Sequence, residues 1–178
     1  CFNLVLQKYN NFLNNKEFLY VSEKDGYRHL YKYDIAGNQL QSYVFGDVVF
    51  KELVNITKSD IYYIGTGNRG MDKLLYKTNI KTGNTKVITE KSGTYSIEMN
   101  KSGSWYYAKH SNISTPNNIS LSKIDGKKEI GILNAPNPYE GKTILPKIEV
   151  VTIKSADGKT DLNGRIIYPL NFDSSKKY

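Results

Sequence analysis

The sequence has two histidines, His29 and His110, as candidates for acid–base or metal chemistry. A zinc site needs three or four closely spaced ligands, and a nucleophilic triad needs a serine and a carboxylate at one imidazole. His29 lies on a predicted strand, whereas His110 lies in a Ser/Asn-rich segment that predicts an exposed loop. The sequence therefore predicts no catalytic residue, no metal site and no cofactor, and it leaves substrate-binding residues unassigned.

Three glycine-containing segments resemble ligand-binding loops but lack what such loops require. Residues 65–70 read Gly-Thr-Gly-Asn-Arg-Gly, yet a phosphate-binding loop must lead into a helix N-terminus, and this segment is flanked by strand patterns. Asp25-Gly26 and Asp157-Gly158 lack the regularly spaced carboxylates of a calcium loop. All three segments predict turns or strand connections.

Two short motifs give no functional assignment. The nucleophile of an α/β-hydrolase lies in a Gly-x-Ser-x-Gly turn, and the sequence contains no such pentapeptide. Asn55, Asn112 and Asn118 each begin a formal glycosylation triplet. An Asn-rich chain produces such triplets by chance, so they are uninformative.

Composition excludes several classes of protein. The net charge is +8, but the lysines are scattered singly and there is no arginine cluster, which argues against nucleic acid as a partner. Lysines at strand edges also discourage aggregation. The single cysteine, Cys1, excludes an internal disulfide. No apolar run is long enough to predict a membrane span, and the first residues do not read as a signal peptide.

The elements that carry these residues form a repeat of about 44 residues, within the range typical of propeller blades. Each unit reads as a Tyr-rich strand, a polar loop, a second strand, a Gly turn and a third strand. A further strand comes before the next Tyr-rich one. Three residue types recur in step: Tyr20, Tyr63 and Tyr107; Lys32, Lys77 and Lys123; Gly37, Gly83 and Gly126.

Four short antiparallel strands per repeat predict an all-β fold of about three β-propeller blades over residues 1–134. Three blades do not close a propeller, so we expect an incomplete one. The alternative is an antiparallel sandwich with similar hairpins. Besides the Tyr-rich and Lys-containing strands, the pattern predicts strands at 39–45, 48–55, 85–89, 94–99 and 128–133.

A different composition begins after residue 134. Residues 135–146 are rich in Pro, Gly and Asn and predict a linker. Residues 147–178 predict a hairpin, with strands at 148–154 and 162–168 around the turn at Asp157-Gly158, followed by a polar tail. An isolated hairpin is marginally stable in water, so we expect it to pack on the blades or to belong to a further domain.

Three segments resemble the dipeptidyl-peptidase IV family of prolyl oligopeptidase-type serine peptidases. Residues 22–34 (SEKDGYRHLYKYD) and 61–77 are similar to consecutive propeller blades of that family, and residues 152–178 are similar to the start of its α/β-hydrolase domain. The resemblance implies an eight-bladed propeller that caps a serine exopeptidase. Its substrates would be peptides, from which dipeptides, or tripeptides in related members, are removed, commonly after Pro or Ala.

For this chain the resemblance implies late propeller blades and the first strands of the hydrolase domain. The family's catalytic triad lies beyond this segment, its substrate-binding glutamate pair lies before it, and His29 falls at a structural blade position. We therefore expect a noncatalytic fragment that gates and scaffolds the site of a periplasmic, secreted or cell-surface parent that could be a homodimer. The alternatives are a free-standing peptide- or glycan-binding module and a cell-surface structural repeat.

Overall fold

The computed structural model describes residues 11–44, 46–89, 91–126, 129–136, 141, 144 and 146–178. These residues form antiparallel β-sheets, with no closed barrel among them, which confirms the predicted all-β class and the incomplete propeller-like architecture. The chain divides into two compact units, Cys1–Asn134 and Ala135–Tyr178. The described strands are β1 (Asn11–Asn14), β2 (Glu17–Ser22), β3 (His29–Asp34), β4 (Gln39–Ser42), β5 (Phe50–Ile56), β6 (Asp60–Gly67), β7 (Asp72–Asn79), β8 (Thr85–Val87), β9 (Thr94–Met99), β10 (Trp105–Ser111), β11 (Asn118–Lys123), β12 (Glu129–Asn134), β13 (Ile148–Lys154) and β14 (Asp161–Ile167).

The first unit contains three four-stranded antiparallel meanders, which we call blades 1, 2 and 3. They comprise β1–β4, β5–β8 and β9–β12, and within each blade neighbouring strands in the chain are neighbours in the sheet. Tyr20, Tyr63 and Tyr107 lie on the second strand of each blade. The repeat seen in the sequence is therefore the blade itself.

The glycine of each repeat lies in the turn between the third and fourth strands. Gly37, Gly83 and Gly126 have φ values of 89°, 73° and 72°. A side chain at this left-handed φ strains the backbone, which favours glycine. The recurring glycine is therefore required by the turn.

Blades 2 and 3 are also joined by a parallel contact that the sequence does not predict. Strand β8 covers only Tyr76 to Thr78 of β7, which leaves the first half of β7 without a full partner strand. Strand β9 fills part of this gap: Lys73 pairs with Thr94, and the Lys73 amide donates to the Gly93 carbonyl at 2.9 Å. Because β8 stops short of Lys73, the Lys73 amide takes its acceptor from Gly93 and not from β8.

Strand β6 is buried on both faces because blade 2 packs between the other two blades. Alternate side chains of a strand point to opposite faces, so Ile61 and Tyr63 face blade 1 while Tyr62 and Ile64 face blade 3. The first interblade core contains Leu19, Leu30, Tyr43, Val44, Phe50, Ile61, Tyr63 and Tyr76. The second contains Tyr62, Ile64, Leu75, Tyr95, Tyr106 and Ala108.

The second unit contains the antiparallel hairpin β13–β14, paired in register from Ile148–Ile167 to Lys154–Asp161. The turn closes through a hydrogen bond from the Gly158 amide to the Ser155 carbonyl at 2.8 Å. Beyond β14 the rings of Tyr168, Phe172 and Tyr178 pack in series, with centroids 4.6 Å and 5.4 Å apart. The hairpin strands match the prediction to within one residue.

Candidate functional site

His29 lies on β3 and is buried in blade 1. Its Nε2 atom lies 3.1 Å from the Gly46 carbonyl oxygen, and its ring lies between those of Tyr27 and Tyr31. The imidazole thus ties β3 to the turn after β4. This geometry is that of a residue that holds the blade together.

His110 does not lie in an exposed loop, contrary to the sequence-based prediction. It lies on β10, is 8% exposed, and stacks on Tyr95 with ring centroids 4.4 Å apart. The strand continues through this residue because alternate side chains of β10, those of Tyr106, Ala108 and His110, all face blade 2. The Ser92 carbonyl, 3.0 Å from His110 Nε2, gives the imidazole the polar partner it needs when buried.

Ser92, His110 and Asp72 lie close together, but they do not form a catalytic triad. A nucleophilic serine must give its hydroxyl proton to the imidazole. Here the Ser92 hydroxyl donates to Asp72 Oδ1 at 2.9 Å, and the imidazole contacts the backbone carbonyl of Ser92 instead. The Gly93 amide also donates to Asp72 Oδ1 at 2.9 Å, so this cluster anchors the turn before β9.

The glycine-rich segment 65–70 joins two antiparallel strands. Strand β6 ends at Gly67, a single 3₁₀ turn covers Asn68–Gly70, and β7 begins at Asp72. A Cβ atom on Gly65 would lie 3.0–3.1 Å from the Tyr76 ring and 3.1 Å from Val48 Cγ1. The glycine at 65 therefore makes room for a packed ring.

Both Asp-Gly pairs lie in turns, and each aspartate carboxylate already accepts a hydrogen bond from another group of the protein. Asp25 accepts a hydrogen bond from the Tyr31 hydroxyl at 2.7 Å. Asp157 accepts from the Ser155 hydroxyl and from the Lys159 amide, and these hydrogen bonds lower the pKa of Asp157. Within the described ranges, no group of three or more His, Cys, Asp or Glu side chains is placed to hold a metal ion.

The part of the chain that the structure describes also has no helix long and apolar enough to cross a membrane.

A polar cavity lies between blades 2 and 3, and we call it the interblade cleft. It has a volume of about 300 Å³ and lies beside the second interblade core. It opens where the large side chains of that core give way to small polar ones on β11. The residues that define it are Ile88, Thr89, Lys91, Tyr95, Tyr106, Ala108, His110, Asn118, Ser120, Ser122, Gly126 and Glu129.

Strand β11 directs polar side chains towards blade 2, whereas β6 directs apolar side chains towards blade 3. Asn118, Ser120 and Ser122 pair with His110, Ala108 and Tyr106 and share the face directed at the cleft. The apolar residues Ile119 and Leu121 alternate with them on the opposite face. The alternation is visible in the sequence, but the polar face of a strand is ordinarily assigned to solvent, so sequence reasoning missed the cleft.

The tyrosine hydroxyls of the cleft are held neutral. Burial, aided by neighbouring Tyr106 and Glu129, raises the pKa of Tyr95 to about 12. Burial also raises the pKa of Tyr106, against a smaller opposing effect of its hydrogen bond with Ser122. A tyrosine hydroxyl with its ordinary pKa near 10 is already protonated at neutral pH, and burial extends that range to higher pH.

One polar atom of the cleft has no partner. Asn118 Oδ1 is buried and accepts no hydrogen bond from any described residue. Buried polar atoms are nearly always hydrogen-bonded, and each exception needs an explanation. Less than 1 Å² of the atom is accessible to solvent, so the cleft does not present it to a bound molecule.

The three repeated four-stranded sheets give this chain a propeller-like all-β fold. The family model described as the dipeptidyl peptidase IV (DPP IV) N-terminal region matches residues 4–117, which is most of the chain. The chain belongs to this family.

Two solved structures show the same fold over nearly the whole chain. A Bacteroides ovatus protein assigned as a dipeptidyl aminopeptidase IV is 27% identical, with a TM-score of 0.82 over 95% of this chain. Porphyromonas gingivalis dipeptidyl peptidase 4 is 24% identical, with a TM-score of 0.78 over 95% of this chain, and it supports the fold alone. This chain spans 27% and 24% of those two chains.

Proposed function

We propose that this chain is the noncatalytic part of a serine exopeptidase that removes dipeptides from peptide N-termini, commonly after Pro or Ala. The observation that carries the proposal is the match of residues 4–117 to the N-terminal region of dipeptidyl peptidase IV. The three blades agree with it, because repeated four-stranded antiparallel sheets are the units of a propeller. Removal of tripeptides is the alternative to removal of dipeptides, and the experiment below also tests for it.

The proposed role is to gate and scaffold the catalytic site. The sequence lacks a Gly-x-Ser-x-Gly nucleophile turn, and Ser92 directs its hydroxyl to the Asp72 carboxylate and not to the His110 imidazole. The blades are instead well suited to form a rigid wall, because two continuous apolar cores fasten blade 2 to its neighbours. Such a wall would admit flexible peptides and exclude folded proteins.

We propose that the hairpin β13–β14 is the first hairpin of the hydrolase domain. Six of its apolar side chains are at least about a third exposed, which supports a further layer of protein against it. The side chains concerned are Ile148, Val150, Ile153, Leu162, Ile166 and Ile167.

The experiment compares hydrolysis of Gly-Pro p-nitroanilide by this chain and by the polypeptide that the complete gene encodes. We expect this chain to be inactive and the complete polypeptide to be active and inhibited by a serine-directed reagent. An Ala-Ala-Pro p-nitroanilide with a free N-terminus distinguishes tripeptide release. Turnover by this chain alone, or an inactive complete polypeptide, would overturn the proposal.

For the complete polypeptide we also propose export to the periplasm or cell surface and assembly as a homodimer. Both follow from the family relationship. Fractionation of the native cells tests the location, and a complete polypeptide found only in the cytoplasm would contradict it. Light scattering of the purified complete polypeptide tests the dimer, which a monomeric mass would contradict.

A further inference from the structure

One end of the blades carries lysines that are scattered singly in the sequence. In every blade the turn between the first and second strands has an exposed lysine: Lys16, Lys58 or Lys101. The turn between the third and fourth strands lies beside it, because a backbone amide of the later turn donates to a carbonyl of the earlier one. These hydrogen bonds run from Ile35 to Lys16 at 3.0 Å, from Ile80 to Ser59 at 2.8 Å and from Ile124 to Ser104 at 3.1 Å. Both turns therefore lie at the same end of each blade.

Positive charge is concentrated in the turns of blade 2 and in the adjoining turn of blade 3. The exposed lysines there, which we call the basic turn patch, are Lys58, Lys81, Lys86 and Lys101. Asp60 is the only carboxylate-bearing residue in the described segments 56–62, 79–86 and 100–104. Its carboxylate is already bound by Lys77 at 3.1 Å and by the Ser59 hydroxyl at 2.7 Å. The lysines of the patch form no ion pair with any described residue, so their charge is not neutralised locally.

The turns of blades 2 and 3 are fastened to each other. The Asn55 side-chain amide donates to the Asn100 carbonyl at 3.0 Å, and a Cβ atom on Gly103 would lie 2.8 Å from Thr57 Cγ2. Because of this close packing, Lys58 and Lys101 line the same open hollow, of about 540 Å³. Like charges held on one surface repel each other, and an anionic partner relieves that repulsion.

The composition of these turns favours carboxylates over phosphates and lipids. Recognition of nucleic acid and phosphate commonly uses the planar fork of arginine, and residues 56–62, 79–86 and 100–104 contain no arginine. Binding in a lipid surface also uses exposed apolar side chains, and none of the large apolar side chains of these segments is exposed. An extended acidic peptide needs neither feature, because its carboxylates are spaced along the chain.

We propose that the basic turn patch binds an acidic peptide in an extended conformation. One side-chain carboxylate of the peptide lies between Lys58 and Lys101 in the larger hollow. A second carboxylate is directed at Lys86, which lines a neighbouring hollow of about 160 Å³. Asp60 lines both hollows, and its ion pair with Lys77 reduces its repulsion of the peptide. The contacts are open to water, so the binding depends on ionic strength.

The test is an NMR titration of the ¹⁵N-labelled chain with the peptide Glu-Gly-Glu-Gly-Glu-Gly, acetylated and amidated so that only its side chains are charged. The matched peptide Gln-Gly-Gln-Gly-Gln-Gly, blocked in the same way, has the same length without charge. We expect saturable amide shifts at residues 56–60 and 100–104 with the acidic peptide and none with the neutral one. Raising the salt from about 0.05 M to about 0.5 M should weaken binding at least about fivefold, because exposed ionic contacts are screened.

Paired variants with a matched control locate the binding. The double variant Lys58→Gln with Lys101→Gln should weaken binding about five- to tenfold, the effect of losing two exposed ionic contacts. The control, Lys51→Gln with Lys109→Gln, removes the same charge from exposed positions at the opposite ends of β5 and β10 and should leave affinity within about twofold. Lys58→Glu with Lys101→Glu should lose the acidic peptide and bind a blocked Lys-Gly-Lys-Gly-Lys-Gly peptide at the same turns.

The proposal is overturned if the acidic peptide gives no saturable shifts at these turns, if salt leaves binding unchanged, or if the control pair weakens binding as much as the turn pair. Tighter binding of phosphatidylserine vesicles or of a DNA oligonucleotide would also overturn it, because either result assigns the patch to another partner. The melting temperatures of all variants are measured together, so an unfolded variant is recognised. The result is independent of peptidase activity in the complete polypeptide.

Discussion

Two hairpins of similar length in this chain differ in how far their side chains are buried. The hairpin β6–β7 lies in blade 2, and every residue of β6 up to Thr66 is buried. The hairpin β13–β14 has the same antiparallel pairing, yet none of its residues is fully buried in its own unit. Backbone pairing forms a strand, but only a second layer of protein buries its side chains.

The difference lies in what covers each face. Blade 2 is covered on both sides, so Ile61 and Tyr62, which are adjacent in sequence, enter different cores. Removal of apolar area from water stabilises a fold by roughly 25 cal/mol per Å². A residue of β6 contributes this term in full, whereas Ile153 of β13, 56% exposed, contributes little of it.

The largest expected contrast is between Ile61→Ala and Ile153→Ala, which are the same change in the two hairpins. Ile61 is fully buried, so its loss should cost about 2–5 kcal/mol through lost transfer energy and a cavity. The Ile153 change should cost less than about 1 kcal/mol. Urea unfolding followed by circular dichroism measures both, and equal losses would contradict the comparison.

The next contrast concerns aspartates that organise turns. Asp72→Ala leaves the buried Gly93 amide and the Ser92 hydroxyl without their acceptor, which should cost about 1–3 kcal/mol. Asp157→Ala removes a similar turn carboxylate from the hairpin, where water can replace it. Its effect on the unfolding midpoint should be clearly smaller, and an effect as large as that of Asp72→Ala would show that solvent does not rescue the exposed turn.

A glycine pair sharpens the comparison further. Gly65→Ala would press a methyl group against the Tyr76 ring, which cannot move because it stacks on Tyr63 at 5.3 Å and its hydroxyl donates to the Thr66 carbonyl at 2.8 Å. Overpacking of this kind costs about 1–3 kcal/mol. Gly164→Ala in β14 would meet the ends of two side chains on the exposed hairpin, Val151 Cγ2 at 3.2 Å and Ile153 Cδ1 at 3.7 Å. These ends can shift, so the change should be neutral or stabilising by up to about 1 kcal/mol. Thermal unfolding of both variants decides the point, and a neutral Gly65→Ala would refute tight packing at β6.

The smallest expected effect is a pH dependence at Asp60. Burial tends to raise the pKa of this carboxyl, but hydrogen bonds from Ser59 and Lys77 outweigh burial and lower it below 3.8. The lowered pKa gives stability that is present above about pH 4, the ordinary range of the unfolded carboxyl, and is lost as the pH falls through the folded-state value. Asp60→Asn should therefore remove about 1 kcal/mol at pH 7 and less at pH 3.

The control for this pH dependence is Glu149→Gln in the hairpin. The Tyr168 hydroxyl and Lys147 lower the pKa of Glu149, so the direction of the effect is the same. The group is open to solvent, and added salt should abolish its contribution first. If salt removes the Asp60 effect as easily as the Glu149 effect, the Asp60–Lys77 pair, 3.1 Å apart, is not protected by the blade.

Much of the fold could be predicted because the repeat carries local information. Period-2 alternation marks strands, and recurring glycines mark the turns that need positive φ. Strand β1, however, was not predicted, because its four polar and apolar residues carry too short a pattern. The fourth strand of blade 2 was predicted at 85–89 and is shorter, at Thr85–Val87. The backbone ladder to β7 ends there because the Leu75 amide donates to the Thr89 side-chain hydroxyl and not to a backbone carbonyl.

The site was predicted less well than the fold. His110 was placed in an exposed loop because its neighbours are polar, yet a carbonyl from the preceding turn and the Tyr95 ring allow it to be buried. Asn118 was noted only as part of a glycosylation triplet. Its position in the wall of a cavity depends on which face of β11 is turned towards blade 2, and alternation alone is the same for either orientation.

The sequence by itself determined the strands, their turns, the length of the repeat and the resemblance to the dipeptidyl peptidase IV family, because each of these depends on residues close together in the chain. Only the tertiary structure decided which strand is buried on both faces, how β9 bridges to β7, and that a polar cleft opens between blades 2 and 3. These features depend on pairs of surfaces distant in sequence. The free energy of burial belongs to the pair of surfaces and cannot be read from either one alone.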